Sequence, residues 1–176
     1  MLTWFGQKST HPLASSSGLS LDISHVLARA GIPGYRQALP LITSEFERAR
    51  RYNHPLSLAL FGMVTAIEAA GASSSRNGHG TPEAAGLFPA VLASLLREST
   101  REIDIVTYVA MLARCLVLMP ETDRPAAEYA VRRLRTLAGQ RLLTPVTTGV
   151  AVFPAEGLVL DELVRLAAAQ PLRATV

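Results

Sequence analysis

The sequence lacks most of the features that would mark a secreted, membrane-spanning or disulfide-bonded protein. It has one cysteine in 176 residues, which excludes a framework of disulfide bonds. No apolar run reaches the length of about 18 residues that a membrane-spanning helix requires. The first residues do not show the charged-then-apolar order of a signal peptide. We therefore expect a cytoplasmic protein that has no membrane span.

Charge and catalytic side chains are also sparse. Charged residues make up 18% of the chain and the formal net charge is +3, an excess that suits an anionic ligand but is small for a nucleic-acid binder. The histidines show no metal-ligand spacing, and no Gly-rich phosphate loop, Ser-His-Asp set or Cys-x-x-Cys pair occurs. Cys115 lies inside an apolar run and is expected to be a small buried side chain. We predict no metal and no cofactor, and we expect no nucleic acid as a partner.

What the chain does have is a regular alternation of helix and strand patterns. Strands are predicted over 55–63, 103–109, 114–119 and 146–153, and helices over 37–53, 83–100, 123–138 and 160–169. One α+β domain with a central, mainly antiparallel sheet flanked by helices accounts for this order. In the first of these helices Leu41, Phe46 and Ala49 are expected to face the core. Asp123 is expected to cap the helix that Gly139 ends.

The first 36 residues are predicted to form an N-terminal arm, and residues 37–176 the domain itself. The arm carries Trp4 and Phe5 before a Ser-rich stretch. The segment "SLDISHVLARAGIPG" then predicts a short helix that glycine and proline end.

Four segments in this order resemble the GGDEF domain, the fold of diguanylate cyclases. "EFERARRYNHPLSLALF" is similar to its opening helix and first strand, and "LLRESTREIDIV" to its second helix and the strand that enters the signature hairpin. "LVLMPETDRPAAEYAVRRLR" resembles the strand and helix that leave the hairpin, and "VTTGVAVFPAEG" the late strand. The resemblance covers roughly residues 37–170 and implies a GGDEF-like fold.

The catalytic pattern of that family is missing from this sequence. The resemblance places the signature pentapeptide near residues 110–114, where the chain reads "AMLAR", and the metal-binding aspartates at Gly62 and Val64. Phosphoryl transfer with Mg²⁺ requires oxygen ligands, and neither residue supplies a side-chain oxygen. We therefore predict a degenerate GGDEF domain with no catalytic residues, which is not an enzyme.

A second site of the family is retained in the residue pattern. The resemblance implies an inhibitory-type site for cyclic di-GMP, formed by the Arg-x-x-Asp motif of Arg101 and Asp104 and by Arg133 on the following helix. An arginine can grip a phosphate or a guanine edge with two parallel hydrogen bonds, and a carboxylate can accept from guanine N–H groups. The alternative interpretation is that Arg101 and Asp104 form a plain surface ion pair.

The predicted hairpin carries apolar residues at its tip, where Gly, Asn or Asp is usual. Met111 and Leu112 either fold onto the domain or the arm, or contact another protein. The leading hypothesis is an inactive bacterial signalling domain that binds cyclic di-GMP and regulates a protein partner. The alternative is a nucleotide-independent interaction or dimerisation module.

Overall fold

The computed structural model of the chain describes residues 23–63 and 82–170. Its elements follow one another as α1 (Ile23–Arg29), α2 (Tyr35–Tyr52), β1 (Leu56–Met63), α3 (Pro82–Ser99), β2 (Ile105–Val109), a 3₁₀ turn (Ala110–Leu112), β3 (Arg114–Pro120), α4 (Arg124–Leu142), β4 (Val146–Phe153) and α5 (Leu160–Ala169). The bounds of the predicted strands and helices agree with these to within a few residues.

The four described strands form one sheet in the order β2-β3-β1-β4, and each neighbouring pair is antiparallel. β1 is apolar on both faces, which is typical of a central strand, and it lies between β3 and β4. Ala59 in its middle pairs with Val117 on one side and Val150 on the other. The prediction of an α+β fold with an antiparallel sheet between helices is confirmed.

Helices cover both faces of this sheet because successive side chains of a strand point to opposite sides. Leu58 and Leu60 of β1 join the apolar cluster that includes buried residues of α2 and α5. Ala59 and Phe61 join the cluster that includes buried residues of α1, α3 and α4. The helices α2 to α5 therefore each bury one apolar stripe against the sheet, and α1 packs against α3.

Two expectations about the helices are wrong. Leu41 is 55% exposed, because the buried stripe of α2 runs through Ala38, Ile42, Phe46 and Ala49 and leaves Leu41 to one side. Gly139 does not end α4, which continues to Leu142. Leu142 packs against the core, and this contact offsets the cost of about 1 kcal/mol that a glycine imposes within a helix.

The short helix expected in the N-terminal arm is present as α1. Leu27 and Ile32 are buried in the same cluster as Phe61, so this part of the predicted arm contributes to the core of the domain. Trp4 and Phe5 lie outside the described residues, and the division of the chain at residue 36 stays a prediction. None of the described helices combines the length and apolar character needed to cross a lipid bilayer.

Candidate ligand-binding site

The Arg-x-x-Asp motif forms a closed turn between the end of α3 and the start of β2. The backbone N–H of Asp104 donates to the carbonyl oxygen of Arg101 at 3.1 Å. The backbone N–H of Arg101 donates in return to Oδ2 of Asp104 at 2.9 Å. These two hydrogen bonds use the backbone of Arg101 and one carboxylate oxygen, and they hold Asp104 in one position.

The other carboxylate oxygen of Asp104 is buried without a partner. The side chain is only 7% exposed, and Oδ1 accepts no hydrogen bond within the described part of the chain. Burial raises the pKa of Asp104 above its ordinary value, whereas the hydrogen bond from the Arg101 N–H and the charges of Arg101 and Arg133 act in the opposite direction. A buried acceptor with no partner is costly, so this oxygen would gain from a donor, which a local movement of the turn would have to admit.

Arg133 reaches the same region from α4. Asp123 caps this helix by accepting a hydrogen bond from the Ala126 N–H at 3.0 Å, as expected. The apolar stripe of the helix faces the sheet, and Arg133 is exposed at its flank. Nη2 of Arg133 donates to the carbonyl oxygen of Ser99, the last residue of α3, at 2.8 Å. This bond directs the guanidinium toward the turn that holds Asp104.

Arg101, Asp104 and Arg133 line one cavity of about 310 Å³. The family resemblance predicted that these three residues form one site, and the structure places them around a common space. The plain surface ion pair between Arg101 and Asp104 does not form, since the motif is held by backbone hydrogen bonds instead. Tyr129 and Thr122 also line the cavity and were not predicted. Tyr129 could have been predicted from the sequence, because a residue four positions before Arg133 on a helix lies on the same face.

The hairpin tip is a 3₁₀ turn that presents its apolar residues to solvent. Met111 is 96% exposed and Leu112 is 37% exposed. Ala113 closes the turn in the left-handed region with φ of 49°, and its N–H donates to the Ala110 carbonyl oxygen at 3.1 Å. No described residue covers Met111, and the assignment of this tip as a partner contact stays a prediction.

The arginine that follows the tip occupies the space beside β1. A Cβ atom added at Gly62 would lie 3.1 Å from Cγ of Arg114 and 3.3 Å from its Nε. Nη1 of Arg114 donates to the carbonyl oxygen of Ala168 at 3.2 Å, near the end of α5. The guanidinium therefore runs across Gly62 and is fixed there at its far end.

Cys115 is buried in the core, as expected. Burial raises the pKa of its thiol to about 12, so the thiolate is not populated near neutral pH. The thiol lies 3.7 Å from the carbonyl oxygen of Pro89. This environment suits packing and gives the residue no role as a nucleophile.

Solved structures of GGDEF domains share this architecture. The GGDEF domain of YfiN from Pseudomonas aeruginosa has a TM-score of 0.57 at 16% identity, over 77% of this chain and 80% of that one. The active GGEEF domain of a diguanylate cyclase from Vibrio cholerae has a TM-score of 0.57 at 16% identity, over 76% and 85%. The diguanylate cyclase SiaD from Pseudomonas aeruginosa, in complex with its activator SiaC, has a TM-score of 0.59 at 20% identity, over 80% and 54%.

The chain has the GGDEF fold. No family model matches its sequence, and no curated protein matches it either. With identities of 14–20% among structures such as these, the similarity lies in the arrangement of helices and strands.

At the end of β1, this GGDEF-fold domain lacks the metal-binding residue that the family resemblance places there. The resemblance put a metal-ligating aspartate at Gly62, and the space beside Gly62 holds the Arg114 side chain. A fixed guanidinium is a poor neighbour for Mg²⁺, because two cations repel each other. Over residues 23–63 and 82–170, no three His, Cys, Asp or Glu side chains lie close enough together to hold a metal ion. Val64 lies outside the described residues.

Proposed function

We propose that this chain is a catalytically inactive GGDEF-fold signalling domain that binds cyclic di-GMP through Arg101, Asp104 and Arg133. Ligand binding would alter the contact of the domain with a protein partner. The proposal rests above all on the cavity that Arg101, Asp104 and Arg133 share, and the unpartnered Oδ1 of Asp104 adds support.

The chemistry of the three side chains suits a guanine nucleotide. The N1–H and exocyclic amine of guanine are adjacent donors, and Asp104 has an oxygen without a donor. The Arg101 side chain is exposed and its guanidinium is hydrogen-bonded to none of the residues that the structure describes, so its full set of donors is available for a phosphate or for the other edge of the base. Arg133 is already held by Ser99, which lowers the entropy lost when a ligand binds.

Isothermal titration with cyclic di-GMP tests the proposal directly. We expect a dissociation constant of about 1 µM or lower for the wild-type chain, and loss of measurable binding in Arg101→Ala. Arg51→Ala, which removes an exposed arginine from α2, should bind as the wild type does. A wild-type titration that releases no heat at about 100 µM ligand would contradict the proposal.

The absence of cyclase activity is a separate part of the proposal. Its support is the Arg114 guanidinium that lies across Gly62, together with the "AMLAR" sequence at the hairpin tip. Without carboxylate ligands at this strand, a metal ion cannot be positioned to activate the attacking hydroxyl. Incubation of the purified chain with GTP and either Mg²⁺ or Mn²⁺ should therefore yield no cyclic di-GMP. Product formed in proportion to protein concentration would overturn this part.

The exposed hairpin tip favours a second candidate function, a protein-interaction module that needs no nucleotide. An apolar side chain as exposed as Met111 gains from being covered by a partner. SiaD, which has the same fold, is in complex with its activator protein SiaC.

Sedimentation of the chain at several concentrations tests the homotypic form of this candidate. Self-association should be present in the wild type and absent in Met111→Asp. Leu143→Asp is the matched control, because Leu143 is 89% exposed but lies at the end of α4. A wild type that stays monomeric and retains no partner in pull-down would count against this candidate.

A further inference from the structure

A second, shallower cavity lies next to the cavity that Asp104 lines, farther along α4. This second cavity has a volume of about 400 Å³ and shares Tyr129 and Arg133 with the first. Thr136 and Gln140 line its remaining length. These four residues follow the helix at spacings of three and four, so they form one row along the same face of α4. Tyr129 and Arg133 therefore lie at the boundary of two neighbouring cavities, which we call the first lobe, beside Asp104, and the second lobe.

One lobe alone is small for a cyclic dinucleotide. Ligand pockets usually have volumes of about 300–1,000 Å³, and the lobe beside Asp104, at about 310 Å³, lies at the lower end of that range. A cyclic dinucleotide carries two bases, two riboses and two phosphates. If Asp104 holds one guanine, the second base needs a place outside this lobe.

We propose that the second lobe receives the second base of the cyclic dinucleotide and that the Tyr129 ring stacks on that base. This inference rests on the function proposed above, and it adds a residue and a subsite to it. Tyr129 is 70% exposed, so its ring has an open face. Stacking on an aromatic ring requires no particular base, because every base has a flat π-face.

The position of Tyr129 gives it a role that the three charged residues cannot fill. Asp104 and Arg101 bind the polar edge of a single base or phosphate, and a mononucleotide could satisfy both. Tyr129 lies one helical turn before Arg133, whose guanidinium is fixed by Ser99 beside both lobes. Tyr129 lines both lobes, so a ligand that binds Asp104 with one base and stacks its other base on the Tyr129 face toward the second lobe must span the two. Tyr129 should therefore favour dinucleotides over mononucleotides.

Titrations with cyclic di-GMP and with GMP test the inference on the wild type and on variants of Tyr129, Tyr52 and Arg101. Tyr129→Ala should weaken cyclic di-GMP binding about tenfold or more, since one stacked base is lost. Tyr129→Phe should stay within about twofold of the wild type, because the ring remains. GMP binding, measured as a competitor of cyclic di-GMP, should be the same in Tyr129→Ala and the wild type. Tyr52→Ala is the matched control, because Tyr52 is 60% exposed on α2.

The outcomes separate this inference from the function on which it rests. If the wild type and Tyr129→Ala bind cyclic di-GMP equally, while Arg101→Ala does not bind it, the site stands and the stacking role of Tyr129 is wrong. If Tyr129→Ala weakens GMP and cyclic di-GMP by the same factor, the ring acts in the first lobe and the two-lobe assignment is wrong. If the wild type binds no cyclic di-GMP, the proposed function itself fails.

Discussion

Asp104 is the residue whose environment is hardest to explain by packing alone. One oxygen accepts the Arg101 N–H, and the other is buried with no donor among the described residues. A neutral amide would make the same turn, since its oxygen can also accept from Arg101. Burial raises the pKa of the carboxyl, which means that the folded protein holds the proton more tightly than the unfolded chain does. At neutral pH the ionised group therefore lowers the stability of the fold.

We expect Asp104→Asn to stabilise the protein and to abolish cyclic di-GMP binding. The stability linked to this carboxyl is fully present below its ordinary pKa of 3.8 and is lost as the pH rises through its raised folded-state pKa. The variant should therefore exceed the wild type in unfolding temperature at pH 7, and the difference should shrink as the pH falls toward 4. Thermal unfolding followed by circular dichroism at both pH values measures this. A variant that is less stable than the wild type at pH 7 would show that the charge is needed by the turn.

At the scale of elements, the contact between β4 and α5 depends on one glycine. A Cβ atom at Gly149 would lie 1.9 Å from the carbonyl oxygen of Ala167 and 2.9 Å from its carbonyl carbon. Both atoms belong to helix backbone, which cannot move aside as the end of a flexible side chain can. The close approach also places Gln170, just after α5, beside the outer edge of β4, where its side chain bonds to the backbone N–H and carbonyl oxygen of Val150. This side-chain amide pairs with a strand edge that would otherwise be open.

Gly149→Ala should therefore destabilise the domain by about 2–3 kcal/mol, because α5 must move away from the sheet. Gly139→Ala is the matched control within the same fold. Its added Cβ would have as its nearest neighbour the Thr144 carbonyl oxygen at 3.9 Å, an ordinary contact, and it lies inside α4. That variant should gain about 0.5–1 kcal/mol from helix propensity. Urea unfolding of both variants measures the change in the free energy of unfolding, which should fall for Gly149→Ala and rise for Gly139→Ala. An unchanged free energy of unfolding in Gly149→Ala would show that α5 shifts freely.

The elements also show which parts of the fold the sequence could predict. Strand and helix positions followed from apolar periodicity, because β1 is apolar throughout and α4 repeats every three to four residues. The two wrong predictions concern positions that tertiary contacts determine. Leu41 fits a helical stripe in the sequence, but the face that meets the sheet passes through Ile42. Glycine often follows the last residue of a helix, but here α4 continues past Gly139 because Leu142 packs against the core.

At the scale of the whole molecule, the candidate site is made from three separated segments. Arg101 and Asp104 follow α3, Arg133 lies on α4, and Met119 of β3 lines the cavity between them. The resemblance to a known fold made it possible to choose these three residues from the sequence. Other features of the site depend on packing that no short motif encodes. They are the open space between the three residues, the Asp104 oxygen that lacks a donor, and the position of Tyr129. The bond from Arg133 to the Ser99 carbonyl oxygen is of the same kind, since it joins residues that are 34 positions apart.

Because the site joins the end of α3, β3 and α4, a ligand bound there should stabilise the whole domain against unfolding. A ligand at 100 times its dissociation constant adds about 2.7 kcal/mol to the free energy of unfolding. For a protein of this size that corresponds to a rise in unfolding temperature of roughly 5–10 °C. Cyclic di-GMP should produce this rise in the wild type and in Met111→Asp, and none in Arg101→Ala. A domain that served only as a protein-interaction module would show no rise in any of the three, so this measurement separates a receptor from a scaffold.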